Sequence, residues 1–146
     1  MNLKDNYFNS VNSLENLKSI PLFLLRIVLA IGFFGPAKMK VGNIGGIISW
    51  FESINIPMPA LNAYMATGTE VLGVILLGLG LGTRIISIPL IITMIVAILT
   101  VHLPNGFEAG NNGFEIPLYY MIMLITLVFF GSGKFSVDYL LSKNKQ

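Results

Sequence analysis

The sequence predicts an all-α integral membrane protein built as a four-helix transmembrane bundle. Of its 146 residues, 54% are hydrophobic and only 11% are charged, whereas a soluble domain has roughly 25% charged residues. A surface made with so few charged groups suits lipid better than water. The chain contains no cysteine, which excludes disulfides and every redox or metal site that needs a thiolate.

Four apolar runs predict the four crossings. They span about 20–38, 60–82, 85–102 and 114–131, close to the ~17–25 residues that a helix needs to cross a bilayer. Backbone groups in hydrocarbon must be paired within their own segment, so the runs are expected to be helices and not strands. The bundle then occupies 20–141, between a polar segment at 1–19 and a short tail at 142–146.

The basic residues predict the orientation of the bundle. With four crossings, six of them lie at one end, and Lys38 and Lys40 lie at the other. The positive-inside rule therefore places both termini in the cytoplasm. The cations are scattered at segment ends and the net charge is only +2, so no nucleic-acid partner is expected.

Within 1–19, apolar residues from Leu3 to Leu14 fall at helical spacing, which fits an amphipathic surface helix or a frayed tail equally well.

Two opposite charges lie inside the apolar runs. Arg26 interrupts the first run and Glu70 interrupts the second, and a lone charge at mid-membrane costs about 2.5–3.5 kcal/mol on insertion scales. Counting 1.5 Å per residue from Lys38 and Pro59 puts both at similar depth. We therefore predict an Arg26–Glu70 ion pair in the bundle interior. It would be either a fastener between helices or the polar floor of a ligand or proton site.

The fourth run and the loop before it predict a polar track leading to that pair. Glu115, Tyr119, Ile122 and Thr126 share one helical face. An outward-facing cavity would open at the stretch "HLPNGFEAGNNGFEIP", and its mouth is predicted to consist of Lys38, His102, Asn105, Glu108 and Glu115.

For His102 we favour capping of the third helix and a bond to Glu115. Metal binding is the alternative, although the spacing of a known metal motif is missing.

Three stretches point to a known family. The first is "LRIVLAIGFFGPAKM", the second runs from "PMPALNAYMATGTEVLG" to Arg84, and the third from "HLPNGF" through "NNGFEIPLYY" to "GSGKFSVDYLL". In this order and spacing they resemble the DoxX family of small bacterial membrane proteins. The stretches "TVHLPNGF" and "FEIPL" are most similar to the HvfX-like branch of the family, which is associated with copper-linked gene clusters for modified peptides. Phe34 stands where many members have a histidine, so any role of that histidine does not carry over.

The resemblance implies a multi-pass protein of the bacterial cytoplasmic (inner) membrane and leaves its activity open. Relatives include a subunit of a thiosulfate:quinone oxidoreductase and a component of a membrane complex for oxidative-stress defence. The motif residues of this chain are not themselves redox-active. We therefore lean towards a protein without catalysis of its own, and predict neither catalytic residues nor metal ligands.

Three functional hypotheses follow. The leading one is an accessory subunit whose outward cavity binds a quinone, a lipid-like molecule, or a membrane or periplasmic partner protein. The second is copper stress or small-molecule transport, and the third is a purely structural scaffold. Quinone is the single cofactor suggested. The protein is expected to be surrounded by the lipid bilayer, and its glycine-rich helices would permit homo-oligomers. The predicted ligand contacts are Arg26, Lys38, Glu70, His102, Asn105, Glu115 and Tyr119.

Overall fold

The protein is an all-helical bundle, as the sequence predicts. The computed structural model describes Glu15 and residues 17–143. The segment from Leu3 to Leu14, predicted as either an amphipathic helix or a frayed tail, and the last residues of the C-terminal tail lie outside this part. Between residues 17 and 143, six α-helices follow one another: α1 Ser19–Gly42, α2 Ile44–Ser53, α3 Pro59–Leu79, α4 Thr83–Ala97, α5 Glu115–Phe130 and α6 Val137–Lys143. The helix α4 continues as a π-helical turn, Ile98–His102, and a 3-10 turn, Leu103–Asn105.

Three helical segments in the described chain are long and apolar enough to cross a membrane. They are Ser19–Gly42, Pro59–Leu79 and Thr83–Asn105, and α5 is a shorter apolar helix beside them. The first runs past its predicted end at residue 38 to Gly42. The predicted fold class, a helical membrane bundle, is confirmed, and α2 is an additional short helix in the connection between α1 and α3.

The core lies where α1, α3, α4 and α5 meet. Leu29, Leu77, Leu90, Leu124 and Leu127 are completely buried there. A second, smaller cluster joins Ile47 and Phe51 of α2 to Ala63 of α3. Because α2 packs back onto α3, it covers one end of the bundle. We call this end, which also includes the segment 103–114, the loop end.

The opposite end, which we call the turn end, is held by contacts between distant parts of the chain. It comprises the start of α1, the turn between α3 and α4, and the segment 131–138. Asp138 accepts hydrogen bonds from the backbone N–H groups of Gly82 and Thr83 at 2.8 and 3.2 Å, and so caps the first turn of α4. Its own N–H donates to the carbonyl of Gly80 at 3.0 Å. The helix α6 is thereby fixed to the α3–α4 turn.

Arg26 completes the turn end from inside the bundle. It is fully buried, and its guanidinium donates to the carbonyl of Leu77 at 3.1 Å and to that of Phe135. The ring of Phe23 lies 5.5 Å from the guanidinium carbon, within cation–π range. Gly80, at φ +68°, makes room, since a Cβ there would collide with the guanidinium. Arg26 therefore joins α1 to the end of α3 and to the segment after α5.

Candidate functional site

A cavity of about 760 Å³ opens at the loop end of the bundle. Its walls come from α1, α3, α4 and α5, and residues of α2 and of the 103–114 segment contribute to its rim. The lining is mainly apolar and includes the rings of Phe33, Trp50, Phe51 and Tyr120. Binding sites for small organic molecules have this size and character, with a few polar groups that fix orientation.

An ion pair between Lys40 and Glu70 lies in the cavity wall. The Lys40 Nζ is 2.5 Å from the Glu70 Oε1, and only 13% and 3% of the two side chains are exposed. Lys40 is in the last turn of α1, and its flexible four-carbon stem lets the ammonium reach inwards to a carboxylate near the middle of α3. Desolvation in this position is offset by the pairing of the two charges.

One oxygen of Glu70 is left without a partner in the described chain. Its Oε1 faces Lys40, whereas its Oε2 is buried and has no hydrogen bond among Glu15 and residues 17–143. A buried carboxylate oxygen without a donor is costly. Glu70 and Lys40 both line the cavity, so the ammonium lies in its wall and the unpartnered carboxylate oxygen lies buried directly behind that wall.

The predicted ion pair between Arg26 and Glu70 is wrong, although both charges are buried as predicted. Arg26 lies beside Leu77, seven residues further along α3 than Glu70, which is about 10 Å along a helix axis. Arg26 therefore belongs to the turn end, and Glu70 takes Lys40 instead. The count from Lys38 and Pro59 failed because α1 extends to Gly42, which shifts the register of α1 against α3.

His102 lines the same cavity, but its predicted bond to Glu115 is also wrong. Its Nδ1 lies 2.8 Å from the carbonyl oxygen of Asn112. A carbonyl oxygen accepts hydrogen bonds only, so Nδ1 must carry the proton, and the Nε2 of a neutral ring is left as an acceptor. Glu115 instead accepts from the Ala109 N–H at 3.0 Å and from the Tyr119 hydroxyl at 3.1 Å. His102 thus connects the end of the α4 segment to the loop.

The polar face of the fourth crossing does not point into the bundle. Tyr119 is 45% exposed and Ile122 is 52% exposed, so the predicted track from Glu115 to Thr126 lies on the outside, which is a further correction. The buried face of α5 carries Pro117, Leu124 and Leu127. The Tyr120 ring lines the cavity and packs so closely on Gly32 that a Cβ there would collide with it.

Of the seven predicted contacts, only Glu70 and His102 line the cavity. Lys38 is exposed, and Asn105 donates to the carbonyls of Val101 and Asn112 within the loop.

Lys40 is the partner of Glu70 that the sequence analysis missed, although the residue spacing in α1 indicates it. Arg26, Ala30, Phe33 and Ala37 are buried on one face of α1, and the same 3–4 residue spacing reaches Lys40 and not Lys38.

A metal cluster is not evident in the described residues. No group of three or more His, Cys, Asp or Glu side chains close enough to hold a metal ion occurs in Glu15 and 17–143. Three methionines, Met39, Met65 and Met94, nevertheless line the cavity together with His102. Thioether groups are ligands that select copper(I), and imidazole groups bind copper among other metals.

A family model decides the classification. The DoxX model matches residues 21–103, which is more than half of the chain and includes Lys40, Glu70 and His102. The chain belongs to the DoxX family. It is a DoxX-family membrane protein, as the resemblance predicted; the comparisons do not distinguish branches of the family, so the HvfX-like assignment stays a prediction. No solved structure matches the chain significantly.

Similar proteins occur in several bacteria. A protein of Bacillus subtilis named "Putative oxidoreductase CatD" is 34% identical over 129 residues, covering 87% of this chain and 91% of its own. An uncharacterized protein of Haemophilus influenzae is 32% identical over 132 residues, covering 85% of each. An uncharacterized membrane protein of Mycobacterium tuberculosis is 36% identical over 104 residues, covering 64% of this chain and 63% of its own.

Proposed function

We propose that this chain is an accessory subunit of the bacterial inner membrane that binds a quinone or a quinone-like lipid in the loop-end cavity. The observation that carries the proposal is the ion pair between the partly buried Lys40 and the buried Glu70 in the wall of an otherwise apolar cavity. The name of the Bacillus subtilis relative supports a role beside redox chemistry. Under the predicted orientation, the cavity opens towards the outer side of the membrane.

The polar groups of the cavity match both redox forms of such a ligand. A quinone carbonyl accepts a hydrogen bond, for which the Lys40 ammonium is a donor. A quinol hydroxyl donates one, and the unpartnered Oε2 of Glu70 becomes its acceptor when the Glu70 side chain turns towards the cavity. The rings of Phe33 and Tyr120, 5.5 Å apart, offer apolar surface to a flat ring and to an isoprenoid tail. Pro36 has no N–H, so the carbonyl of Gly32 in the same wall lacks its helical donor.

Co-purification tests this function. Protein extracted in mild detergent from a host that makes quinones is expected to carry bound quinone, detected by solvent extraction and mass spectrometry. Glu70→Gln and Lys40→Met each remove one charge-assisted hydrogen bond, and are expected to lower occupancy roughly tenfold or more. The matched controls are Glu52→Gln and Lys38→Met, which change exposed residues of the same type outside the cavity. Occupancy is compared on the monodisperse fraction of each variant.

Two results would contradict quinone binding. Quinone-free wild-type protein that also fails to take up added quinone would exclude quinone binding. Equal loss of quinone in Glu70→Gln and Glu52→Gln would exclude the Lys40–Glu70 pair as its site. Tight copper(I) binding that disappears in His102→Ala, in a protein free of quinone, would instead favour copper handling through His102 and the methionines of the cavity.

A further inference from the structure

A second pocket of about 1070 Å³ lies at the turn end, on residues distinct from those of the cavity. It is formed by the beginnings of α1 and α4, the end of α5, and the segment 131–142. Lys18, Arg84 and Lys134 line it from three separate parts of the chain, and all three are exposed. We propose that this pocket binds the phosphodiester headgroup of an anionic glycerophospholipid.

The charge balance of the pocket favours an anion. Two acidic residues, Glu15 and Asp138, also line it, but both oxygens of Asp138 are engaged by the N–H groups of Gly82 and Thr83. Within Glu15 and residues 17–143, the single ion pair is Lys40–Glu70 at the other end of the bundle. Among the described residues, the lining therefore carries three cations against two carboxylates, and neither carboxylate forms an ion pair with them. A phosphodiester would supply the negative charge that balances this excess.

The backbone around the pocket holds these cations in place. Gly131 has φ +76°, and a Cβ there would lie 3.1 Å from the Nε of Arg84, so the Arg84 guanidinium lies directly against the end of α5. The backbone N–H of Lys134 donates to the Ser19 hydroxyl at 3.2 Å, which fixes the lysine beside the start of α1. Arg84 and Lys134 thus start from positions set by the fold, and an arginine fork matches a phosphate geometrically.

The apolar part of the pocket favours a lipid over a free phosphate. Ile85, Phe129 and Phe130 line the pocket and are 76%, 72% and 70% exposed, next to Leu22 and Leu25. A free phosphate would use only the cations, whereas an acyl chain would also cover these side chains. The predicted orientation places this end in the cytoplasmic leaflet, where basic groups at the ends of membrane helices attract anionic lipids.

Native mass spectrometry of the detergent-purified full chain tests the proposal. We expect phosphatidylglycerol to remain bound in preference to phosphatidylcholine with the same acyl chains. Arg84→Gln and Lys134→Gln should each weaken phosphatidylglycerol binding about fivefold, and the triple variant with Lys18→Gln roughly a hundredfold. Lys143→Gln removes a cation near the same end that does not line the pocket, and should bind as the wild type does. The single variants keep the test valid if the triple variant folds poorly.

Three results would overturn the proposal. Equal retention of phosphatidylglycerol and phosphatidylcholine would show that the cations do not select the headgroup. The same loss in Lys143→Gln as in Arg84→Gln would show a general effect of charge. Binding of glycerol phosphate as tight as that of phosphatidylglycerol would identify a soluble phosphate site in place of a lipid site.

Discussion

Replacing Arg26 with methionine is expected to destabilise the bundle more than any other single change at its turn end. The substitution preserves much of the side-chain volume and removes the donors to the carbonyls of Leu77 and Phe135. A hydrogen bond from a charged donor contributes about 1.5–3 kcal/mol. The Leu77 carbonyl keeps the N–H of Gly80 at 3.2 Å, whereas the Phe135 carbonyl loses its guanidinium donor. Removing the charge also relieves its desolvation, so the expected loss in the free energy of unfolding is roughly 2–4 kcal/mol.

Unfolding in detergent micelles measures this effect, and Trp50, the single tryptophan of the chain, is the fluorescence probe. Lys38→Met is the control on the same helix, since Lys38 is exposed; it should stay within about 0.5 kcal/mol of the wild type. Arg26→Lys should fall between the two, because one ammonium cannot reproduce the two-pronged geometry of a guanidinium. A wild-type unfolding midpoint for Arg26→Met would show that the two carbonyl bonds do not hold the turn end together.

Breaking the Lys40–Glu70 pair is the second change with a large expected effect. Lys40→Met leaves the Glu70 carboxylate, which is 3% exposed, without its counter-charge, and Glu70→Gln does the same to the ammonium. Removing one partner of a buried pair costs about 3–5 kcal/mol, while replacing both can be nearly neutral. The double variant Lys40→Met/Glu70→Gln is therefore expected to be more stable than the sum of the two single effects predicts, by about 1 kcal/mol or more.

A double-mutant cycle on the unfolding free energies measures that coupling. The control cycle combines Lys38→Met with Glu70→Gln; Lys38 is exposed and makes no ion pair with Glu70, so the two effects should add. Coupling in the control cycle as large as in the Lys40 cycle would mean that the effect is long-range electrostatics. Strict additivity in the Lys40 cycle would mean that no specific pair forms.

The sequence predicted the helices and the buried charges, because both depend on local composition. Apolar runs of membrane-crossing length and two charges inside them are visible without tertiary contacts, and Arg26 and Glu70 are indeed buried. The partners of these charges depend on the register between α1 and α3. That register is set by the length of α1, by α2 and by the packing of Gly80 on Arg26. Counting residues from the ends of the apolar runs takes none of these three features into account.

The inward face of α5 was missed for a different physical reason. Its sequence, "EIPLYYMIMLITLVFF", is apolar on every side, so the hydrophobic pattern does not distinguish an inner from an outer face. The few polar residues were then assigned to the interior, whereas Glu115 and Tyr119 bond to each other near the loop. Tyr120, one position along the helix, is the residue that lines the cavity.

Charge reversal tests the pairing of Lys40 with Glu70 most directly. Lys40→Glu alone would place two carboxylates together, Glu70→Lys alone would place two ammonium groups together, and the double reversal would restore the pair with its direction exchanged. We expect both single variants to lose most of their folded, monodisperse fraction and the double reversal to recover it, while Lys38→Glu fails to rescue Glu70→Lys. Recovery of Glu70→Arg by Arg26→Glu, with no recovery by reversal at Lys40, would contradict the pairing and place the arginine of α1 beside Glu70.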